Sequence, residues 1–429
     1  VTNAEQTRRR IEAVCRIEAA KLIAGLARFV RDIGFAEELA QDAFVAALEQ
    51  WPESGVPHNP AAWLMTAAKR RAIDRMRRAA RLEQKYRELD TDRSTTVDAY
   101  DAGFDIALAA IDAERDDNRI DDDLLRLIFI ACHPILSAEA RVALTLRLLG
   151  GLTTDEIARA FLVPEATVAQ RIVRAKRTLA AARVPFEVPD ASERRVRLTS
   201  VLEVIYLIFN EGYAATAGTE WMRPALCEEA LRLGRTLAAL LRDDSEVHGL
   251  VALMEIQASR MRARTTPAGD PITLLDQDRG RWDQLLISRG LAALERAERF
   301  EVSLGPYALQ ASIAACHARA KEAAATDWLR IVALYDALAQ LAPSPIVDLN
   351  RAIAIGMAYG PQAALEIVDA LVTEPSLHTY HLVHGARGDL LLKLGRRAEA
   401  RAAFDRAATL TRNARERALL QRRAQALAG

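Results

Sequence analysis

The stretch that most restricts this chain is residues 150–183, where a short helix, a tight turn and a second helix are legible from residue chemistry. Thr153 or Thr154 suits a helix N-cap. Glu156 follows closely enough to complete a capping box, in which side chains satisfy the free backbone N–H groups. Leu152, Ile157, Ala158 and Phe161 recur at helical spacing. Val163-Pro164 ends this helix, because a residue before proline is pushed out of the α region, and a second helix starts near Glu165. At about 100° per residue, Val168, Ile172, Ala175 and Leu179 fall on one side of it. Thr167, Gln170, Arg171, Arg174 and Arg177 fall on the opposite side. An apolar back with a Thr/Gln/Arg front suits a helix in the DNA major groove, where Arg and Gln reach base edges and other cations meet phosphates. A helical hairpin with a solvated basic face has the same pattern.

The 429 residues suffice for two to four domains with buried cores. Ala, Leu, Arg and Glu dominate, aromatics are only 5%, and alternation of β-branched residues is absent, so the expected fold class is all-α. The formal net charge is zero, which argues against a DNA binder only if the charge is evenly spread. It is not. Cys15, Cys132, Cys227 and Cys316 lie far apart with no CxxC pair, which excludes a disulfide framework or zinc motif and suits a reducing cytoplasm. The first ten residues lack the apolar core of a secretory leader. The most apolar run, 201–209, is interrupted by Glu203 and too short to span a bilayer. The expectation is a cytoplasmic protein with no membrane association.

In chain order, residues 8–50 read as helices, with Ile11, Val14, Cys15, Ala19, Leu22, Ile23, Leu26 and Val30 forming one apolar stripe. The first helix is expected to end near Arg31, with Gly34 as the stop. A helix over Ala36–Trp51 carries Glu37, Glu38, Gln41, Asp42 and Glu49, which by themselves read as a solvated acidic face. Trp51–Pro60 is a turn-rich loop. On a helix over about 61–81, Met65, Ala68, Ala72, Ile73, Met76 and Ala80 form an apolar arc. Arg70, Arg71, Arg77, Arg78 and Arg81 form the other arc, with Arg75 at its margin and Trp63 within it. A basic face with an aromatic at its start suits a nucleic-acid backbone and an unstacked base. It equally suits a solvated surface whose tryptophan packs on a neighbour. Over 90–123 carboxylates far outnumber the cations, which are Arg93, Arg115 and Arg119, so an extended or weakly helical linker is expected. That acidic tether between two basic modules accounts for the zero net charge.

A helical module ending in Trp63-Leu-Met-Thr-Ala-Ala-Lys-Arg-Arg-Ala-Ile-Asp-Arg-Met-Arg-Arg78, a linker, and a helix-turn-helix ending in Arg-Ala-Lys-Arg-Thr-Leu179 resembles the bacterial extracytoplasmic-function (ECF) sigma factors across roughly residues 8–183. The resemblance implies a σ2 domain over 1–89, a linker over 90–123 and a σ4 domain over 124–187. It implies core RNA polymerase and promoter DNA as partners, and no catalysis. The helix 36–51 would dock on polymerase through Glu37, Glu38, Gln41 and Asp42. The loop before Pro60 and the helix after it would recognise and melt the −10 element through His58, Asn59, Trp63, Arg70, Arg71, Arg75, Arg77 and Arg78. Thr167, Gln170, Arg171, Arg174 and Arg177 would read the −35 element.

Residues 188–429 exceed what a minimal member of that family needs. From about residue 312 a period of roughly 34 residues appears, the length of a tetratricopeptide (TPR) helix pair. Gly388, Leu391, Gly395, Ala400, Phe404 and Ala407 fit it best, alternating small residues where helices cross with large ones that fill the gap. The extension looks like that of the ECF group with a TPR-like C-terminal domain thought to regulate activity, through a protein partner or an intramolecular contact. His378, His381 and His384 have no acidic or cysteine co-ligand at metal spacing. Asp276-Gln-Asp-Arg279 reads as caps and ion pairs in a loop, and no phosphate loop or nucleophile elbow appears. No cofactor or metal is therefore expected. Asn210-Glu-Gly-Tyr213 stays unassigned beyond a turn between packed helices. Two rival functions share these features: a dimeric helix-turn-helix regulator with a sensing TPR domain, and a TPR scaffold.

Overall fold

Helical periodicity becomes helices almost throughout. The computed structural model describes residues 3–90, 117–300 and 303–427. They form two units, 1–159 with 163–204, and 205–429 with 160–162.

The first unit begins with three helices, α1 (Asn3–Val30), α2 (Ile33–Ser54) and α3 (Pro60–Asp90), packed on one another. The apolar stripe of α1 is buried at Ile11, Cys15, Ala19, Leu22, Ile23 and Leu26. The α1–α2 corner departs from expectation. Arg31 takes φ 53° and Asp32 caps α2 by accepting the Phe35 N–H at 2.7 Å, so Gly34 lies inside α2 rather than stopping α1. An Asx cap outcompetes a glycine stop because it satisfies an otherwise free helical donor. The second helix also runs through Pro52 to Ser54, leaving a loop of 55–59. Asn59 then caps α3 by accepting the Ala62 N–H at 3.0 Å.

Most of the acidic stretch, residues 91–116, lies outside the described residues. Its end is helical, since α4 (Asp117–Ala131) takes in Asp121–Asp123 and packs on α1. There Asp123 is buried between Arg28 at 3.3 Å and Arg126 at 2.7 Å, which explains why this part of the acidic run is folded. Next come α5 (Ala138–Leu148), capped by Ser137, then α6 (Thr154–Phe161), α7 (Glu165–Ala181) and α8 (Ala191–Tyr213). The first half of α8 buries Leu198, Val201, Leu202 and Val204 within this unit.

The second unit continues with α9 (Pro224–Leu240), α10 (Ser245–Ala258), α11 (Gln284–Phe300) and α12 (Pro306–Arg319), with α11 and α12 both packed on α10. The last two capture why α10 is buried at nearly every position from Ser245 to Ile256. Helices α13 (Trp328–Leu341), α14 (Pro345–Ala358), α15 (Pro361–Val372), α16 (His381–Lys393), α17 (Arg397–Leu410) and α18 (Ala414–Gln425) then each pack on the next, as in a helical repeat. Gly388 of α16 permits one crossing: a Cβ there would sit 2.6 Å from the buried Phe404 ring of α17.

One feature of this unit has no periodic signature. Residues 217–218 pair in parallel with 412–413, and the fully buried Asn413 donates to the carbonyls of Ala215 at 3.0 Å and Glu220 at 2.8 Å. The amide oxygen of Asn413 also caps α18. The last repeat is thereby tied to the loop after α8. Among the described residues no helix is long and apolar enough to cross a membrane.

Candidate functional site

The helix-turn-helix is built as its residues require. Thr153 Oγ1 accepts the Glu156 N–H at 3.1 Å, and the Glu156 carboxylate accepts the Thr153 N–H at 2.8 Å, which completes the capping box of α6. Leu162 supplies the turn at φ 52°, a left-handed conformation that L side chains rarely adopt, immediately before Val163-Pro164. Helix α7 buries Val168, Ile172, Ala175 and Leu179 and packs on α5. Gln170, Arg174 and Arg177 are exposed, with Thr167 and Arg171 half-buried beside them. Arg174 and Arg177 make no hydrogen bond or ion pair with the described residues. The five side chains therefore form one polar face on a helix held from behind.

The candidate residues on α2 and α3 are more occupied. Arg75 pairs with Asp42 at 2.6 Å and Glu38 at 3.3 Å, and Arg71 donates to the Asp42 backbone carbonyl. Those two cations thus face the acidic helix. Arg70, Arg78 and Arg81 are exposed and Arg77 is half-buried. Trp63 is half-buried, with its ring 5.2 Å from the buried Trp51 in an edge-on contact. His58 and Asn59 are exposed in the short loop before α3.

Glu37 stands apart, only 4% exposed. Its carboxylate takes Arg147 of α5 at 2.6 Å, Lys176 of α7, and the Gln41 amide at 2.8 Å. Burial alone would raise its pKa. The charges and hydrogen bonds of Lys176 and Arg147 reverse this and hold it below the ordinary carboxylate value.

Residues 18–82 match the family model "Sigma-70 region 2" and residues 126–179 match "Sigma-70, region 4". A Rhizobium meliloti protein described as "Uncharacterized protein R00370" is 44% identical over 401 residues, 92% of this chain and 90% of that protein. "ECF RNA polymerase sigma factor SigK" of Mycobacterium ulcerans is 29% identical over 161 residues, 36% of this chain and 75% of that protein. The same-named Mycobacterium tuberculosis protein is 29% identical over 156 residues, 35% of this chain and 74% of its own length. The chain belongs to the ECF sigma factors. It is an alternative sigma factor that directs transcription initiation, and its region 2 and region 4 domains bind core RNA polymerase and promoter DNA. Sigma factors do this without catalysing a reaction.

Residues 197–298 of this sigma factor match a further model, "Family of unknown function (DUF6596)", which covers the start of the extension. That start shares the core of region 4. Ser200 Oγ donates to the Cys132 carbonyl at 2.6 Å, Arg197 to the Phe129 carbonyl at 3.2 Å, and Arg141 pairs with Glu203 at 3.0 Å. Sequence reasoning also missed Arg147 and Lys176 as partners of Glu37. Lys176 was visible inside the Arg-Ala-Lys-Arg run, at the edge of the apolar side of α7. Its partner lies 139 positions away, beyond the reach of any local pattern.

Proposed function

We infer that this sigma factor grips promoters at two points, with α7 reading the −35 element and α3 working at the −10 element. The observation that carries this is the polar face of α7, where Gln170, Arg174 and Arg177 are exposed above a buried apolar back. In the major groove Arg pairs bidentately with guanine and Gln with adenine, each good pair worth about 1–3 kcal/mol of discrimination. Thr167 and Arg171 flank them. Near α3, His58, Asn59, Trp63, Arg70, Arg77 and Arg78 would meet the opened strand, with bases stacking on the aromatic and cations following the backbone. Arg71 and Arg75 are tied to α2 and brace α3 against it.

Glu37, Glu38, Gln41 and Asp42 form the polymerase-docking group of this reading. Glu37 is occupied by Arg147 and Lys176, so docking through it requires those pairs to exchange for contacts on polymerase. The extension regulates activity, beginning with the half of α8 that completes region 4. Holoenzyme carrying Arg171→Ala and Arg174→Ala tests the face assignment. The double variant should bind core normally and lose at least tenfold in −35-dependent promoter binding. Loss of core binding, or unchanged promoter binding, would show that the face was misassigned.

A further inference from the structure

Two motifs without a role in promoter recognition, Asn210-Glu-Gly-Tyr213 and Asp276-Gln-Asp-Arg279, meet inside the second unit. Gly212 lets the end of α8 pack closely on α9, because a Cβ there would sit 2.7 Å from the Cys227 backbone nitrogen. Tyr213 lies beneath Arg264, whose guanidinium carbon is 3.5 Å from the ring centroid and which also donates to the Tyr213 carbonyl. Arg279 donates to the carbonyls of His317 at 2.5 Å and Ala320 at 2.7 Å, and lies 4.9 Å from the Trp282 ring. Between them stands Arg260, 5.8 Å from the Tyr213 ring and 5.8 Å from the Trp282 ring.

This is a concentration of positive charge with no counter-ion among the described residues. Arg260 is 9% exposed and Arg264 7%. Neither of them, nor Arg279, has an ion pair among the described residues. The carboxylates of both motifs and of α10 are engaged elsewhere. Glu211 pairs with Arg223, Glu255 with Arg235 at 2.7 Å, Asp276 accepts from Thr273 at 2.6 Å, and Asp278 accepts from the Gly280 N–H at 2.9 Å. Burial lowers the pKa of Arg279, and the charge of Arg260 lowers it further, so the cations repel one another where solvent screens them least. His317, pushed down to about 4 by burial and then by Arg260 and Arg279, is neutral at physiological pH.

Several hydrogen-bonding atoms of Arg260 and of residues within 277–317 are buried and unused. Nε of Arg260 itself, Nε of Arg279 and Nε1 of Trp282 are donors without acceptors, Gln277 Oε1 is an acceptor without a donor, and Nδ1 of His317 has no partner. Structures seldom leave such groups unmet unless a ligand or ordered water meets them. An excess of cationic donors with one spare acceptor matches a small oxyanion that also carries a hydroxyl. Arg is suited to it because its planar fork binds carboxylate or phosphate bidentately.

We propose that Arg260, together with Gln277, Arg279, Trp282 and His317, forms a binding site for a small hydroxyl-bearing oxyanion, a phosphate or a hydroxy-carboxylate. Most of these residues fall within 197–298, the segment that matches a family of unknown function. The site gives the extension a chemical input, yet it stands on binding alone, whatever the extension does to transcription.

The test uses the full chain and two probes, orthophosphate and malate, with sodium chloride at matched ionic strength as the control. Titration calorimetry and thermal unfolding should show saturable binding of one probe, which also identifies the source chemistry, and a rise in Tm absent from the chloride control. Arg260→Met should weaken that binding at least tenfold while remaining folded by circular dichroism. If Arg260→Met does not fold, Gln277→Leu, which leaves the cations in place, should weaken it by a smaller but measurable factor. Binding of neither probe, or equal binding by the parent and the folded variant, overturns the proposal.

Discussion

Arg174 differs from Arg75 in a way that helical projection alone does not show. Both sit on an exposed cationic arc, but Arg75 is spent on Asp42 and Glu38, whereas Arg174 has no partner among the described residues. Replacing Arg174 with Ala should cost about 1–3 kcal/mol in promoter discrimination. The same change at Arg75 should act mainly on the stability of region 2, by about 0–1 kcal/mol because that pair is partly exposed. Paired denaturation and promoter-binding measurements on the two variants separate these effects. The cysteines give a second residue-scale prediction. All four are buried thiols, and burial pushes Cys132 up to about 11 and Cys227 up to about 12. Because the thiolate is the reactive form, native protein at neutral pH should resist alkylation at these two positions, and unfolded protein should label fully. Rapid native labelling of Cys132 or Cys227 would contradict their burial.

Among elements, α2 and α17 show how far local sequence carries. The apolar back of α7 and the crossing of Gly388 with Phe404 were legible because both depend on spacing within one or two helices. The start of α2 was misplaced because an Asp32 cap outweighs the glycine two residues on. The environment of Glu37 was illegible because its cations come from α5 and α7. Its pairs also predict a pH dependence. The folded pKa lies below the ordinary 4.5, so the stabilisation is complete at neutral pH, persists above 4.5, and is lost as pH falls through the lower folded value. Glu37→Gln should therefore destabilise the first unit by about 3–5 kcal/mol at pH 7, as expected when one partner of a buried pair is removed. The difference from the parent should shrink below that window in urea titrations, and a difference that grew with acidity would refute the pairing. In the repeat, Phe404→Ala should cost about 3–5 kcal/mol by leaving a cavity against Gly388, readable as a lower midpoint for the second unit.

For the whole molecule, the domain order was legible from charge segregation: basic, acidic, basic, then a long helical extension. The boundary between region 4 and the extension was not, because α8 runs on from one unit into the other as a single helix. Its first half buries Leu198, Val201, Leu202 and Val204, side chains worth roughly 1.5–3 kcal/mol each when fully buried. A chain ending at residue 190 should consequently lose stability in region 4, whereas one ending at Tyr213 should keep it, and comparing the two separates structural support from regulation. If both truncations unfold alike, the assignment of α8 to region 4 fails. The tie at Asn413, linking residues nearly 200 positions apart, was likewise beyond any periodic pattern. If the polar face of α7 reads the promoter, core polymerase carrying this sigma factor starts transcription only where that face can bind. Transcription by purified core RNA polymerase on a promoter template tests it most directly. The parent protein should give a promoter-specific transcript, and Arg171→Ala/Arg174→Ala should lose it while core binding is retained. No transcript with the parent, together with tight dimeric binding to palindromic duplex in the absence of core, would contradict it.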